Sequence, residues 1–111
     1  MAGLTAEETT WLEQYKHALA ERFPGLVEEI ILFGSKARGD AHEDSDIDLL
    51  VIIREGDWRL KRKVGEVGHD FAIGAYVAPS IFVYTRPEIH GMKEYDSSFL
   101  ENIYKEGIFV E

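Results

Sequence analysis

Three aspartates at alternate positions, Asp44, Asp46 and Asp48, open the apolar run Leu49–Ile53. In a strand, alternation puts the side chains of Asp46 and Asp48 on one face, near one end of a sheet. Two carboxylates that close repel each other and push a pKa upward. A divalent cation between them removes that penalty, and an unmet buried carboxylate is costly. Upstream, Gly34-Ser35 follows a second apolar run, Leu26–Phe33, with Lys36 and Arg38 close behind. A glycine lets backbone come close to a ligand. Ser35 offers a hydroxyl and an N–H at a possible helix start, where anions are favoured. The types and spacing therefore suit a metal ion and a phosphate.

Two familiar loops fail on the same residues. Gly34 and Gly39 have the spacing of a phosphate loop of the GxxxxGK[ST] kind, but Asp40 and Ala41 stand where Lys and Ser or Thr must follow. Asp44, Asp46, Asp48 and Glu55 fit a calcium-loop register, but Leu49 sits where the turn needs glycine. A plainer alternative stays open: Asp and Ser open strands through local turns. It suits Asp44 better than the pair Asp46 and Asp48, because Asp48 lies inside the apolar strand.

The flanking elements must hold these groups in place. Thr5-Ala6-Glu7-Glu8 predicts a capping box, and Trp11, Leu12, Tyr15, Ala18, Leu19 and Phe23 follow at helical spacing. Pro24-Gly25 stops that helix. Leu26–Phe33 predicts a strand, 34–45 a loop with one short helical turn, and Asp46–Ile53 a central strand. Asp57 caps a predicted helix over 58–75, weakened by Gly65, Gly68 and Gly74. Ser80–Thr85 predicts a third strand, and 86–93 a short helix. Ser97 or Ser98 caps a last helix through Lys105, with Gly107 at the C-cap position. Ile108–Val110 is expected at a sheet edge.

The segment GSKARGDAHEDSDIDLLV, between two strands, resembles the nucleotidyltransferase superfamily that includes DNA polymerase beta. It is most similar to the minimal nucleotidyltransferase (MNT) domains of prokaryotes, and the late ENIYKEGIFV extends the likeness over nearly the whole chain. The resemblance implies an α/β (α+β) fold, a small mixed sheet flanked by helices, in one domain over 1–111. It implies that Gly34, Ser35 and Arg38 meet the phosphates of ATP or another nucleoside triphosphate. Asp46 and Asp48 would be catalytic and would hold Mg²⁺, which favours carboxylate and phosphate oxygens. Transfer of a nucleotide monophosphate to a hydroxyl would release pyrophosphate. The implied partner is a HEPN-domain protein, in a toxin–antitoxin pair where the MNT protein modifies or covers its partner.

One part of that pattern is missing. Active members carry a third carboxylate on a later strand. Here the candidate strand, Ser80-Ile81-Phe82-Val83-Tyr84, has none, and Ser80 or Phe82 takes the facing position. Nothing in the spacing favours Glu66, Asp70 or Glu88 as a substitute. A module that neutralises its partner by contact alone therefore remains a rival, with Trp58, Tyr76 and Tyr95 as interface candidates. His42 and the basic run Arg59–Lys63 could approach an anion, but solvated surface is the plainer account of each.

Composition narrows the partners further. The formal charge of −9 argues against direct nucleic-acid binding through phosphates. The absence of cysteine fits a reducing, cytoplasmic setting. No apolar stretch is long enough for a membrane span, and no secretory leader is expected. A homodimer is expected only because symmetric pairs are common.

Overall fold

A computed structural model describes residues 3–40, 45–95 and 97–110. Asp44 and His42 lie outside the described residues. Helix α1 (Ala6–Arg22) starts at the expected capping box. The Glu8 N–H donates to Thr5 Oγ1 at 3.1 Å, and the Thr5 N–H donates to Glu8 Oε1 at 2.9 Å. Trp11, Leu12, Tyr15, Ala18 and Leu19 form its buried stripe. After Pro24-Gly25 come β1 (Val27–Phe33), the single turn α2 (Ser35–Arg38) and β2 (Ile47–Ile53). Then follow α3 (Trp58–Ala72), β3 (Pro79–Thr85), α4 (Arg86–Glu94), α5 (Ser98–Glu106) and β4 (Ile108–Phe109).

The four strands form one mixed sheet in the order β3-β2-β1-β4. Strand β1 runs antiparallel to both β2 and β4, while β2 and β3 are parallel, joined by the α3 crossover. Strand β2 is central, as its two-sided apolar run requires. Leu49 to Ile53 are all fully buried. Their alternate residues feed two cores. Leu49, Val51 and Ile53 pack with α1 and α3 on one face. Leu50 and Ile52 pack with Ile89, Leu100 and Ile103 of α4 and α5 on the other.

Helix α3 forms in spite of its glycines, and the first face needs one of them, Gly68. A Cβ at Gly68 would press on the Ile81 side chain and the Tyr15 ring. The close approach lets Trp11 Nε1 donate to the Gly68 carbonyl at 2.8 Å, and Tyr15 OH to that of Val64 at 2.9 Å. Tertiary contact thus outweighs a helix penalty of about 1 kcal/mol per glycine. The helix ends at Ala72, three residues short of the expected 75, in a turn where Ala75 N–H meets the Ala72 carbonyl. Gly107 does close α5, but in extended backbone (φ −74°) rather than the left-handed form of a C-cap glycine.

Candidate active site

The site is built where β1 turns into α2. Gly34 ends the strand with φ +74°, a conformation other residues rarely adopt. A side chain there would also overlap Asp48 Oδ2. Its carbonyl accepts from the Ala37 and Arg38 N–H groups, both at 3.1 Å, which closes the α2 turn. Ser35 is then the first residue of α2, half-buried, and Arg38 the last, exposed. Gly39 (φ +83°) lets the chain leave the turn.

Asp46 stands just ahead of β2, and Asp48 is the strand's second residue. Ile47 between them is fully buried in the α1–α3 core, so the two carboxylates share the opposite face. Across the sheet Asp48 lies beside Phe33 on β1 and Ser80 on β3. Burial raises the Asp48 pKa above the usual carboxylate value, and the Asp46 charge raises it further; Arg38 partly opposes both. Unit charges one strand repeat (~6.7 Å) apart repel by about 2.5 kcal/mol near a protein surface. That is comparable to fully burying one leucine, about 1.5–3 kcal/mol, so the five buried residues Leu49 to Ile53 together outweigh it and hold the pair in place.

No hydrogen bond or ion pair to another described residue occupies either carboxylate. Arg38 does not fill the gap. Its Nε donates to Asp40 at 3.2 Å and its Nη1 to Glu106 at 3.5 Å. Two like charges on one face, with free oxygens and a glycine cradle, have the donor chemistry of a hard divalent cation site.

Strand β3 brings no acid beside Asp48. Ser80 and Phe82 occupy the β3 positions beside Asp48 and Leu50. Glu66 and Asp70 lie on α3, across the sheet, and Glu66 pairs with Arg62 at 2.8 Å. Glu88 caps α4 at the far end of β3 and binds Lys61. Among the described residues, no group of three or more His, Cys, Asp or Glu is placed to hold a metal.

The sequence family agrees with this geometry. The model of the family described as "Nucleotidyltransferase domain" matches residues 12–109. The chain belongs to that family. A putative protein adenylyltransferase of Methanocaldococcus jannaschii is 39% identical over 62 residues, covering 56% of this chain and 50% of that protein. A second one from the same organism is 25% identical over 89% of this chain and 94% of its own length. The protein adenylyltransferase MntA of Thermococcus cleftensis is 52% identical over 50% of this chain and 54% of its length. The chain therefore spans about half the length of two of these relatives. A crystal structure of the toxin–antitoxin pair MntA–HpeT superposes with a TM-score of 0.57 at 17% identity, covering 90% of this chain and 71% of that one. That likeness establishes the mixed-sheet nucleotidyltransferase fold.

Several residues of this nucleotidyltransferase domain take roles that the sequence did not suggest. Lys36, in the segment expected to be a solvated loop, is buried, 2% exposed, and its Nζ meets Glu8 Oε1 at 3.0 Å. It locks α2 to the capping box of α1. The basic run on α3 is engaged locally: Arg59 with Asp57, Lys61 with Glu88, Arg62 with Glu66. His17 and His90 form exposed pairs one helical turn along, with Glu21 and Glu94. Trp58, Tyr76 and Tyr95 are exposed. Phe33, Phe82 and Phe99 form an aromatic cluster next to Asp48, with centroids 5.7–5.9 Å apart. Only the chain's return through α5 brings Phe99 there.

Proposed function

We propose that this domain binds ATP with Mg²⁺ and transfers AMP to a hydroxyl of a partner protein. The observation that carries the reading is the pair Asp46 and Asp48, facing one way against the Gly34 cradle, with no cation bonded to either among the described residues. The relatives named protein adenylyltransferase support the nucleotide and a protein acceptor. The likeness to MntA supports an antitoxin role beside a HEPN-domain toxin.

Asp46 and Asp48 would hold the ion. Mg²⁺ bound there supplies charge neutralisation for the triphosphate. Gly34 gives the phosphates access to backbone, and Ser35 donates to them through its hydroxyl. Arg38, 45% exposed and held only by solvent-exposed contacts to Asp40 at 3.2 Å and Glu106 at 3.5 Å among the described residues, can turn to the phosphates at little cost. Together these residues fix the α-phosphate for in-line attack by the acceptor oxygen. Pyrophosphate leaves as the new bond forms, and most of the acceleration is positioning and charge stabilisation.

One observation favours a second reading. No described carboxylate stands ready to take the acceptor's proton, and the serine in its place is a poor base at neutral pH. The domain would then neutralise its partner by contact. Incubation with α-labelled ATP, Mg²⁺ and the candidate HEPN protein separates the two. Label on the partner, lost in Asp46→Asn and Asp48→Asn, supports transfer. Protection without label, unchanged in those variants, supports contact alone.

A further inference from the structure

Beside the carboxylate face lies a hollow of about 160 Å³, between the end of β1, α2 and α5. Its walls differ in chemistry. Gly34 and Arg38 line it from the β1–α2 turn, and Phe99, Asn102 and Glu106 line it from α5. These last three fall at i, i+3 and i+7 of α5, so they form one stripe of that helix turned to the hollow. Phe33 and Phe82 brace Phe99 at ring angles of 88° and 64°, which fixes the Phe99 ring while 36% of the residue stays open. The Asn102 amide makes no hydrogen bond among the described residues. The Glu106 carboxylate has only its 3.5 Å contact with Arg38 there.

A rigid open ring, an unused amide and an acceptor carboxylate, one residue stripe from a phosphate loop, match a planar heteroaromatic group joined to phosphates. Resting on the nucleotide reading above, we propose that this hollow is the base site and that Phe99, Asn102 and Glu106 select adenine. Phe99 stacks on the ring. The Asn102 amide, donor and acceptor side by side, pairs with adenine N7 and the N6 amine. Glu106 accepts from the same amine, and it repels the O6 carbonyl that guanine presents there. Release of Glu106 from Arg38 frees that guanidinium for the phosphates.

The test is calorimetric titration of ATP, GTP and inorganic tripolyphosphate, each with Mg²⁺, into the native chain and four variants. The native chain binds ATP at least about tenfold more tightly than GTP or tripolyphosphate, as one bidentate contact and one stacked ring require. Asn102→Ala lowers ATP affinity about tenfold and leaves tripolyphosphate unchanged. Phe99→Ala weakens both nucleotides about tenfold, and unchanged tripolyphosphate binding shows that this variant is folded. Glu106→Gln narrows the gap between ATP and GTP. Equal affinity for ATP and tripolyphosphate overturns the base site. So do unchanged nucleotide affinities in both Asn102→Ala and Phe99→Ala. If tripolyphosphate still binds and is lost in Asp46→Asn, the phosphate and metal reading survives that result. A native chain that binds none of the three ligands overturns both.

Discussion

Two pairs of charged residues lie at the two ends of the β1–β2 connection and follow opposite rules. Lys36 and Glu8 are opposite charges, buried, 3.0 Å apart and shared with a helix cap. Asp46 and Asp48 are like charges on the rim of the sheet, with no cation bonded to either among the described residues. The first pair is complete within the fold. The second is held at a disadvantage by the apolar strand behind it. A fold tolerates a repulsive pair when another molecule relieves it, which is the pattern of functional sites.

The sharpest test of that contrast is to remove one partner from each pair. Lys36→Ala leaves the Glu8 carboxylate buried without its cation and is expected to destabilise the protein by about 3–5 kcal/mol in chemical denaturation. Lys36→Met combined with Glu8→Leu should recover a large part, short of about 1 kcal/mol for the damaged cap. If the double variant is as unstable as the single one, the buried pair is not the reason.

Asp46→Asn and Asp48→Asn should do the reverse. Nucleotide transfer to the partner should fall by about a hundredfold or more, as for loss of a group that stabilises transition-state charge. The thermal midpoint should stay level or rise, since a repulsion is gone. A drop in stability like that of Lys36→Ala would erase the distinction between the pairs.

Acidity gives a smaller effect with a definite sign. The Asp48 pKa is raised in the folded state, first by burial and then by Asp46. Folding therefore favours its protonated form, and the native chain loses that contribution as pH rises through the folded pKa. Asp48→Asn should be more stable than the native chain at pH 7, and the gap should close as pH falls below the ordinary aspartate range. Mg²⁺ should stabilise the native chain at pH 7 by binding only the folded form, and lose that effect over the same acid range. Thermal melts across pH, with and without Mg²⁺, read both. The smallest effect is expected for an exposed pair of the ordinary kind. Arg62→Ala breaks its contact with Glu66 and should cost about 0.3–0.5 kcal/mol by urea denaturation, less at high salt.

How far the chain could be read follows from the range of each signal. The capping box at Thr5, the stop at Pro24-Gly25 and the two-faced run Leu49–Ile53 are local patterns, and each element formed close to where its residues placed it. The last turn of α3 did not form, with Gly74 at φ +77° just beyond its end, while Gly68 serves packing against Tyr15 and Ile81 rather than breaking the helix. The burial of Lys36 leaves no local signal, because the carboxylate that meets it is 28 positions away, in a different helix. No local pattern distinguishes a lysine bound for solvent from one with such a partner.

The amino-acid order alone settled the alternation of Asp46 and Asp48, the glycine beside them and the elements on either side. Periodicity and backbone sterics act over a few residues and need no distant partner. Tertiary structure decided what surrounds them: α3 beneath the sheet, α5 folded back so that Phe99 and Asn102 reach the Gly34 turn, and a serine and a phenylalanine on the neighbouring strand. Those neighbours arrive from far along the chain, driven by burial of two apolar cores, and burial specifies which residues meet only once the whole chain has packed.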